Sequence, residues 1–199
     1  MTRRCSASTR GPGRFWVGVM FDPLTAGSQA RSGQMHSFTL AGGLRAESDR
    51  AELHNGFAWA PDGRSFFVAH SRARQVYRYD FTHDGSGQLG QRQLFATVPD
   101  DLGIPDGAAV DSQCGYWCCL HGGGRVRRFL PDGTPDRDIL LPVSQPTMCA
   151  FGGPELDILY ITTASDNLPS SQRDAEPLAG ALLSCRPGAR GMPRAVFVR

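Results

Sequence analysis

The sequence contains no lysine: all 21 of its basic residues are arginine. Against 19 acidic residues they leave a net charge of +2, and no basic block extends beyond Arg125, Arg127 and Arg128. Such a balance creates no field that would draw in a phosphate backbone, so nucleic acid is not an expected partner. The six cysteines, Cys5, Cys114, Cys118, Cys119, Cys149 and Cys185, form no C-x-x-C pair, which argues against a zinc knuckle or a disulfide framework. No segment approaches the roughly 18 apolar residues a membrane span needs, and the basic N-terminus has no apolar stretch behind it. A soluble, cytoplasmic protein is the expectation. Also missing is any stretch of about 12 residues or more with a 3.6-residue apolar period between caps, so helix is expected almost nowhere.

What the chain does hold is glycine and proline, 24 and 14 in 199 residues, together with short aromatic-rich runs that favour strands. Four of these runs recur: 14–20 (RFWVGVM), 64–71 (RSFFVAHS), 115–120 (GYWCCL) and 157–163 (DILYITT). Their centres, Trp16, Phe66, Trp117 and Tyr160, lie 50, 51 and 43 residues apart. Turn residues such as Pro61-Asp62-Gly63 precede each run, and a second strand-like stretch follows it: 34–40, 75–81, 124–130 and 180–185. Several short strands per unit of 40 to 50 residues predict the blades of an all-β propeller, because one small sheet cannot bury both faces and must pack on its neighbours. Four such units fit into one domain spanning 1–199. Polar stretches at 82–91 and 164–177 read as exposed loops, and Cys118 and Cys119, adjacent in a strand, read as buried thiols on opposite faces.

Propeller ligands bind where strand ends from several blades converge, so site residues should come one per repeat. Asn55 in His54-Asn55-Gly56 and Asp106 in Pro105-Asp106-Gly107 each put an oxygen donor beside a glycine at the edge of a strand. An amide oxygen and a carboxylate are hard ligands suited to Ca²⁺, Mg²⁺ or Mn²⁺, or to borderline Zn²⁺. Asn-Gly and Asp-Gly are also ordinary turn pairs, as Asp132-Gly133 illustrates. His54 reads as an exposed turn histidine, and His70 and His121 as strand-end residues with no partner at ligand spacing. Gly122-Gly123-Gly124 lacks the Lys-Ser/Thr of a phosphate loop and reads as a hairpin, Cys149 as a packed thiol, and Asp166-Asn167 as part of a solvated connection.

From Asn55 onward the sequence resembles the SMP-30/gluconolactonase/regucalcin-like family. Asn55 to Gly63 (NGFAWAPDG) is similar to that family's NGLAWSPDG segment, and Ile104-Pro105-Asp106-Gly107, 122–126 (GGGRV), 141–153 and 177–180 (PLAG) follow in family order over roughly 140 residues. Upstream, 14–20 resembles the RFWAGTM strand. The resemblance implies a six-bladed propeller, here with about four blades and without the N-terminal third, one divalent ion, and hydrolysis of a sugar lactone. By motif, Asn55 would be a metal ligand, and Asp106 both a metal ligand and the catalytic base. The family's third ligand, a glutamate, has no counterpart here, and a divergent segment, 1–13, replaces the family's Asn-Asp-Gly substrate segment. A remnant without turnover, or a calcium-binding protein, shares the same site as an alternative. Open blade edges would invite self-association.

Overall fold

In the second strands of the two middle units, side chains alternate between two interfaces, and this alternation joins the units. The computed structural model describes residues 7–9, 14–20, 31–81 and 87–193. Cys5, the Gly11-Pro12-Gly13 turn, most of the divergent N-terminal segment and 82–86 of the expected loop lie outside them. Four antiparallel sheets follow one another in chain order. The first contains β1 (Ala7–Thr9), β2 (Arg14–Val17), β3 (Gly33–Thr39) and β4 (Gly43–Ala51). The second contains β5 (His54–Trp59), β6 (Ser65–His70), β7 (Gln75–Phe81) and β8 (Leu89–Thr97). The third contains β9 (Ile104–Val110), β10 (Tyr116–His121), β11 (Arg125–Phe129) and β12 (Pro135–Leu140). The fourth contains β13 (Pro146–Gly152), β14 (Ile158–Thr163) and β15 (Leu182–Cys185).

Every sheet pairs its strands in sequence, as a meander of hairpins does, and the first strand of one sheet packs beside the first strand of the next: β5 on β9, β9 on β13. These are the blades of a β-propeller, with β5, β9 and β13 as inner strands. The predicted aromatic runs became β2, β6, β10 and β14, and the stretches after them β3, β7, β11 and β15. Outer strands β4, β8 and β12 escaped the sequence reading because they are polar and carry few aromatics: GLRAESDRA, LGQRQLFAT and PDRDIL. Strand β8 begins at Leu89, so the end of the expected loop at 82–91 is strand. One short helix, α1 (Ser170–Ala175), lies in the expected connection at 164–177.

Period-two geometry divides the core into three inter-blade layers. Phe66 and Val68 of β6 face the first blade, where they meet Trp16 and Met35, while Phe67 and Ala69 face Tyr116, Cys118 and Leu120 of the third. In β10 the odd residues, Trp117 and Cys119, turn to Cys149, Phe151, Leu159 and Ile161 of the fourth blade. Cys118 and Cys119 are thus buried on opposite faces, as expected, and the five described cysteines are free thiols.

One buried polar group organises the third blade. Asp111, fully buried, accepts from the amides of Gln113 and Gly115, from Trp117 Nε1 at 2.8 Å and from Arg128 Nε at 2.8 Å. Burial pushes its carboxyl up, but the Arg128 guanidinium, Trp117 and the Gly115 amide outweigh it and hold the carboxyl below its ordinary range. A depressed carboxylate stabilises the fold above its unfolded value of 3.8, and that contribution is lost as pH falls. Replacing Asp111 with Ala should leave buried Arg128 with Asp136 as its remaining carboxylate and Trp117 Nε1 without its acceptor, costing about 3 kcal/mol in urea denaturation near neutral pH, with a smaller loss in acid.

Candidate functional site

Each of β5, β9 and β13 is interrupted near its start by one extra residue; Asp106 lies within such an interruption, and Asn55 pairs with Ala69 immediately before one. In β5 the pairing with β6 slips between Asn55 and Ala58. In β9 it slips over Asp106 and Gly107, where Pro105 and Ala108 pair with Leu120 and Cys118, and in β13 it slips at Thr147, between Pro146 and Met148. Bulges of this kind re-aim a side chain and sharpen the local twist. Gly56 accommodates the one in β5 with φ +59°, in the left-handed region, and Tyr116 donates its hydroxyl to the Gly56 carbonyl at 2.8 Å.

Close approach brings the bulges together. A Cβ at Gly56 would stand 2.9 Å from Ala69 Cβ and 3.1 Å from the Asp106 carbonyl oxygen, besides striking the Tyr116 hydroxyl. A Cβ at Gly107 would stand 2.6 Å from the Thr147 carbonyl oxygen. Asn55-Gly56, Asp106-Gly107 and Thr147-Met148 therefore lie at one level of three successive inner strands. The glycine beside each donor, read from sequence as a turn signal, is the residue that lets the neighbouring strand approach.

Asn55 donates from Nδ2 to Ser71 Oγ at 3.1 Å, which fixes the amide plane and leaves Oδ1 as its acceptor end. Burial drives the Asp106 carboxyl up to about 7, and the Gly107 amide opposes that only partly. An amide oxygen and a carboxyl whose ionisation is penalised by burial fit a divalent cation, since a nearby positive charge favours the carboxylate form. These are the two residues that the sequence singled out. His121, at the end of β10 opposite Ile104, is half-buried, and burial lowers its pKa.

A second group was missed. His54 is 1% exposed and so is no turn histidine, and it pairs across β5 and β6 with His70. Both imidazoles face Asp49 of β4, 2% exposed, with His70 Nε2 at 2.9 Å and His54 Nε2 at 3.5 Å from Asp49 Oδ2. One donor atom of each residue falls within 4.8 Å of the others. Arg92 NH1 approaches Asp49 Oδ1 at 3.4 Å, and Tyr79 hydrogen-bonds the same carboxylate. Burial raises the Asp49 carboxyl, but His54 and His70 dominate and hold it far below the ordinary carboxylate range. Strand β4 carries an irregularity of its own between Gln34/Arg50 and His36/Ala46, and it is this bulge that presents Asp49 to the second blade. The sequence signal was faint: Asp49 lies on an outer strand that the aromatic pattern did not reveal.

Successive blades of three or four antiparallel strands, packed through their inner strands, define a β-propeller. The chain belongs to the SMP-30/gluconolactonase/LRE-like family, whose description matches residues 6–165. It is 34% identical over 186 residues to a 6-deoxy-6-sulfogluconolactonase of Pseudomonas putida, a match covering 93% of this chain and 62% of that protein. It is 31% identical to the pentonolactonase XacC of Haloferax volcanii, over 91% of this chain and 61% of the relative, and 28% identical to regucalcin of Gallus gallus, with the same coverage. The chain thus spans about three fifths of the length of these relatives. Among solved structures, a calcium-binding regucalcin of Agrobacterium tumefaciens superposes with a TM-score of 0.86 at 22% identity, over 99% of this chain and 65% of that one. A luciferin-regenerating enzyme superposes with a TM-score of 0.85 at 23% identity, over 96% of this chain and 64% of that one.

The bulge at Gly56 can be tested directly. Gly56→Ala should destabilise the protein by about 2 kcal/mol or more, since it combines positive φ with a clash against Tyr116, and thermal unfolding by circular dichroism measures the loss. Tyr116→Phe, which removes only the hydrogen bond to Gly56, should cost about 1 kcal/mol.

Proposed function

We propose that this chain carries a divalent metal at Asn55 and Asp106 and, as part of a lactonase, hydrolyses a sugar lactone. One observation carries the reading: an amide oxygen donor and a carboxyl raised to about 7 stand at the same level of neighbouring inner strands, each beside a glycine that admits the next strand. The named relatives, a sulfogluconolactonase and a pentonolactonase, support lactones as the substrate class.

Asp106 acts as general base. Its carboxylate takes a proton from the water that attacks the lactone carbonyl, and the proton then passes to the ring oxygen as the C–O bond breaks, which leaves the open hydroxy acid. Without metal the carboxyl stands near 7, and a bound cation would favour its ionised form, the form that accepts a proton. Asn55, anchored through Ser71, provides a fixed oxygen that orients what binds beside Asp106. When bound, a divalent cation supplies positive charge that polarises the carbonyl and draws the Asp106 carboxyl downward. No nucleophilic serine or cysteine is required.

A second reading, metal binding without turnover, rests on the regucalcin relatives. Acid release from gluconolactone in the presence of Ca²⁺, Zn²⁺ or Mn²⁺ separates the two. A lactonase shows a rate above spontaneous hydrolysis that falls at least about 100-fold in Asp106→Ala. A rate no higher than the uncatalysed one, unchanged by that substitution, removes the hydrolytic reading, while one-to-one metal affinity without turnover favours the second.

The ionisation of Asp106 also yields a stability prediction. Its folded value, about 7, lies above its unfolded 3.8, so the folded state binds the extra proton between these values and loses stability as pH rises through the window. In metal-free protein at about pH 8, Asp106→Asn should therefore stabilise the fold by up to about 4 kcal/mol. Near pH 3, where both forms are neutral, the urea midpoints of the two proteins should coincide.

A further inference from the structure

We propose that Asp49, His54 and His70 form a second, buried metal site that takes a first-row transition ion of the Zn²⁺ type and staples the first blade to the second. Asp49 comes from the last strand of the first blade and both imidazoles from the first two strands of the second, so an ion held by all three crosses the inter-blade interface.

Geometry favours a small ion with short bonds. Ligand bonds of about 2.0–2.2 Å in a tetrahedral shell place ligand atoms roughly 3.3 Å apart. The Asp49 Oδ2 distances to His70 Nε2 and His54 Nε2, 2.9 and 3.5 Å, bracket that spacing. Ca²⁺, with longer bonds and six or more oxygen ligands, finds a poor match in two imidazoles.

The outer contacts are those of a ligating set. His54 Nδ1 lies 3.3 Å from the Val19 carbonyl oxygen. In the tautomer that donates there, the Nε2 lone pair faces Asp49 Oδ2, and two acceptors in apposition need a cation between them. His54 Nδ1 is also 3.3 Å from the Val19 amide, and the alternative tautomer closes a hydrogen bond to Asp49 without metal. The pocket can thus hold itself together empty and still present three donors when an ion arrives. Arg92 and Tyr79 engage the Asp49 carboxylate, with Arg92 on Oδ1, which leaves Oδ2 toward the imidazoles. His70 forms one wall of a cleft of about 300 Å³ that also includes Ser32, Glu52 and Arg72, so the cluster borders an open cleft through this one imidazole.

This site is separate from Asn55 and Asp106. His54 and Asn55 are consecutive on β5 and point to opposite sides, one to Asp49 and the other to Ser71. The ligand types differ as well, imidazole-rich against all-oxygen, so the two positions sort metals by softness.

The test uses the full chain with Asp106→Asn, which removes the all-oxygen site, after treatment with a chelator. Calorimetric titration with Zn²⁺ should show one equivalent bound, Ca²⁺ should not compete, and saturating Zn²⁺ should raise Tm by about 5–10 °C. Adding Asp49→Asn or His70→Gln should weaken Zn²⁺ binding at least about 100-fold and remove the Tm increase. Imidazole ¹⁵N resonances read the site without those variants, should they fail to fold: Zn²⁺ should shift the Nε2 signals of His54 and His70. No Zn²⁺ binding in the Asp106→Asn chain, unchanged affinity in the Asp49 and His70 variants, or unmoved imidazole signals would each overturn the proposal. Because nothing here depends on lactone turnover, loss of hydrolysis in Asp106→Asn bears on the Asn55–Asp106 reading alone.

Discussion

Small sheets stacked face to face must bring their first strands into near-contact, and that constraint governs the rest of this molecule. A blade of three or four short strands has two large faces and too few residues to cover either by itself. Here each interior face is covered by the next blade: Phe66 and Val68 against Trp16 and Met35, Phe67 and Ala69 against Tyr116 and Leu120, Trp117 and Cys119 against Phe151 and Leu159. The inner strands then run so close that side chains between them are limited to what a bulge can swing aside. Gly56 and Gly107 stand at those points because a Cβ there would meet a neighbouring backbone carbonyl at about 3 Å or less.

The proposed ligands and the closest strand contacts fall at the same points of this arrangement. The bulge in β9 turns Asp106 out of the regular pleat, with its carboxyl pushed up to about 7, while Asn55 keeps its pairing with Ala69 just ahead of the bulge in β5. Asp111 shows the opposite treatment of a buried acid. Surrounded by a guanidinium, an indole N–H and two amides, it is held ionised and serves only the fold. Two aspartates five residues apart are thus tuned in opposite directions, one by burial that is barely compensated, the other by donors that more than offset it.

Much of the blade pattern was legible from residue order, and its gaps have physical causes. Strands β6 and β10 are dense in aromatic and apolar residues because both their faces are buried, and β14 stood out through its β-branched residues although one of its faces is exposed. Strands β4, β8 and β12 lie at blade edges, mix charged with apolar residues, and look like loops to any reading based on hydrophobicity. The misreading of His54 follows from this. Judged beside Asn55-Gly56 it looked like an exposed turn, whereas its partner, Asp49, belongs to a strand that the pattern had not revealed.

By itself, the sequence determined that the chain builds repeated antiparallel blades, where their central strands lie, and which family it belongs to, since those properties follow from periodicity and from short motifs preserved in order. It also marked Asn55 and Asp106, because an oxygen donor beside a glycine is a local signal. Only the tertiary structure decided that these donors share one level of adjacent strands, that Asp106 lies where its charge is penalised, and that Asp49, His54 and His70 converge across a blade boundary. The reason is that register shifts and inter-blade packing join residues from strands with no sequence rule between them, and the chemistry of a buried group depends on what those strands place around it.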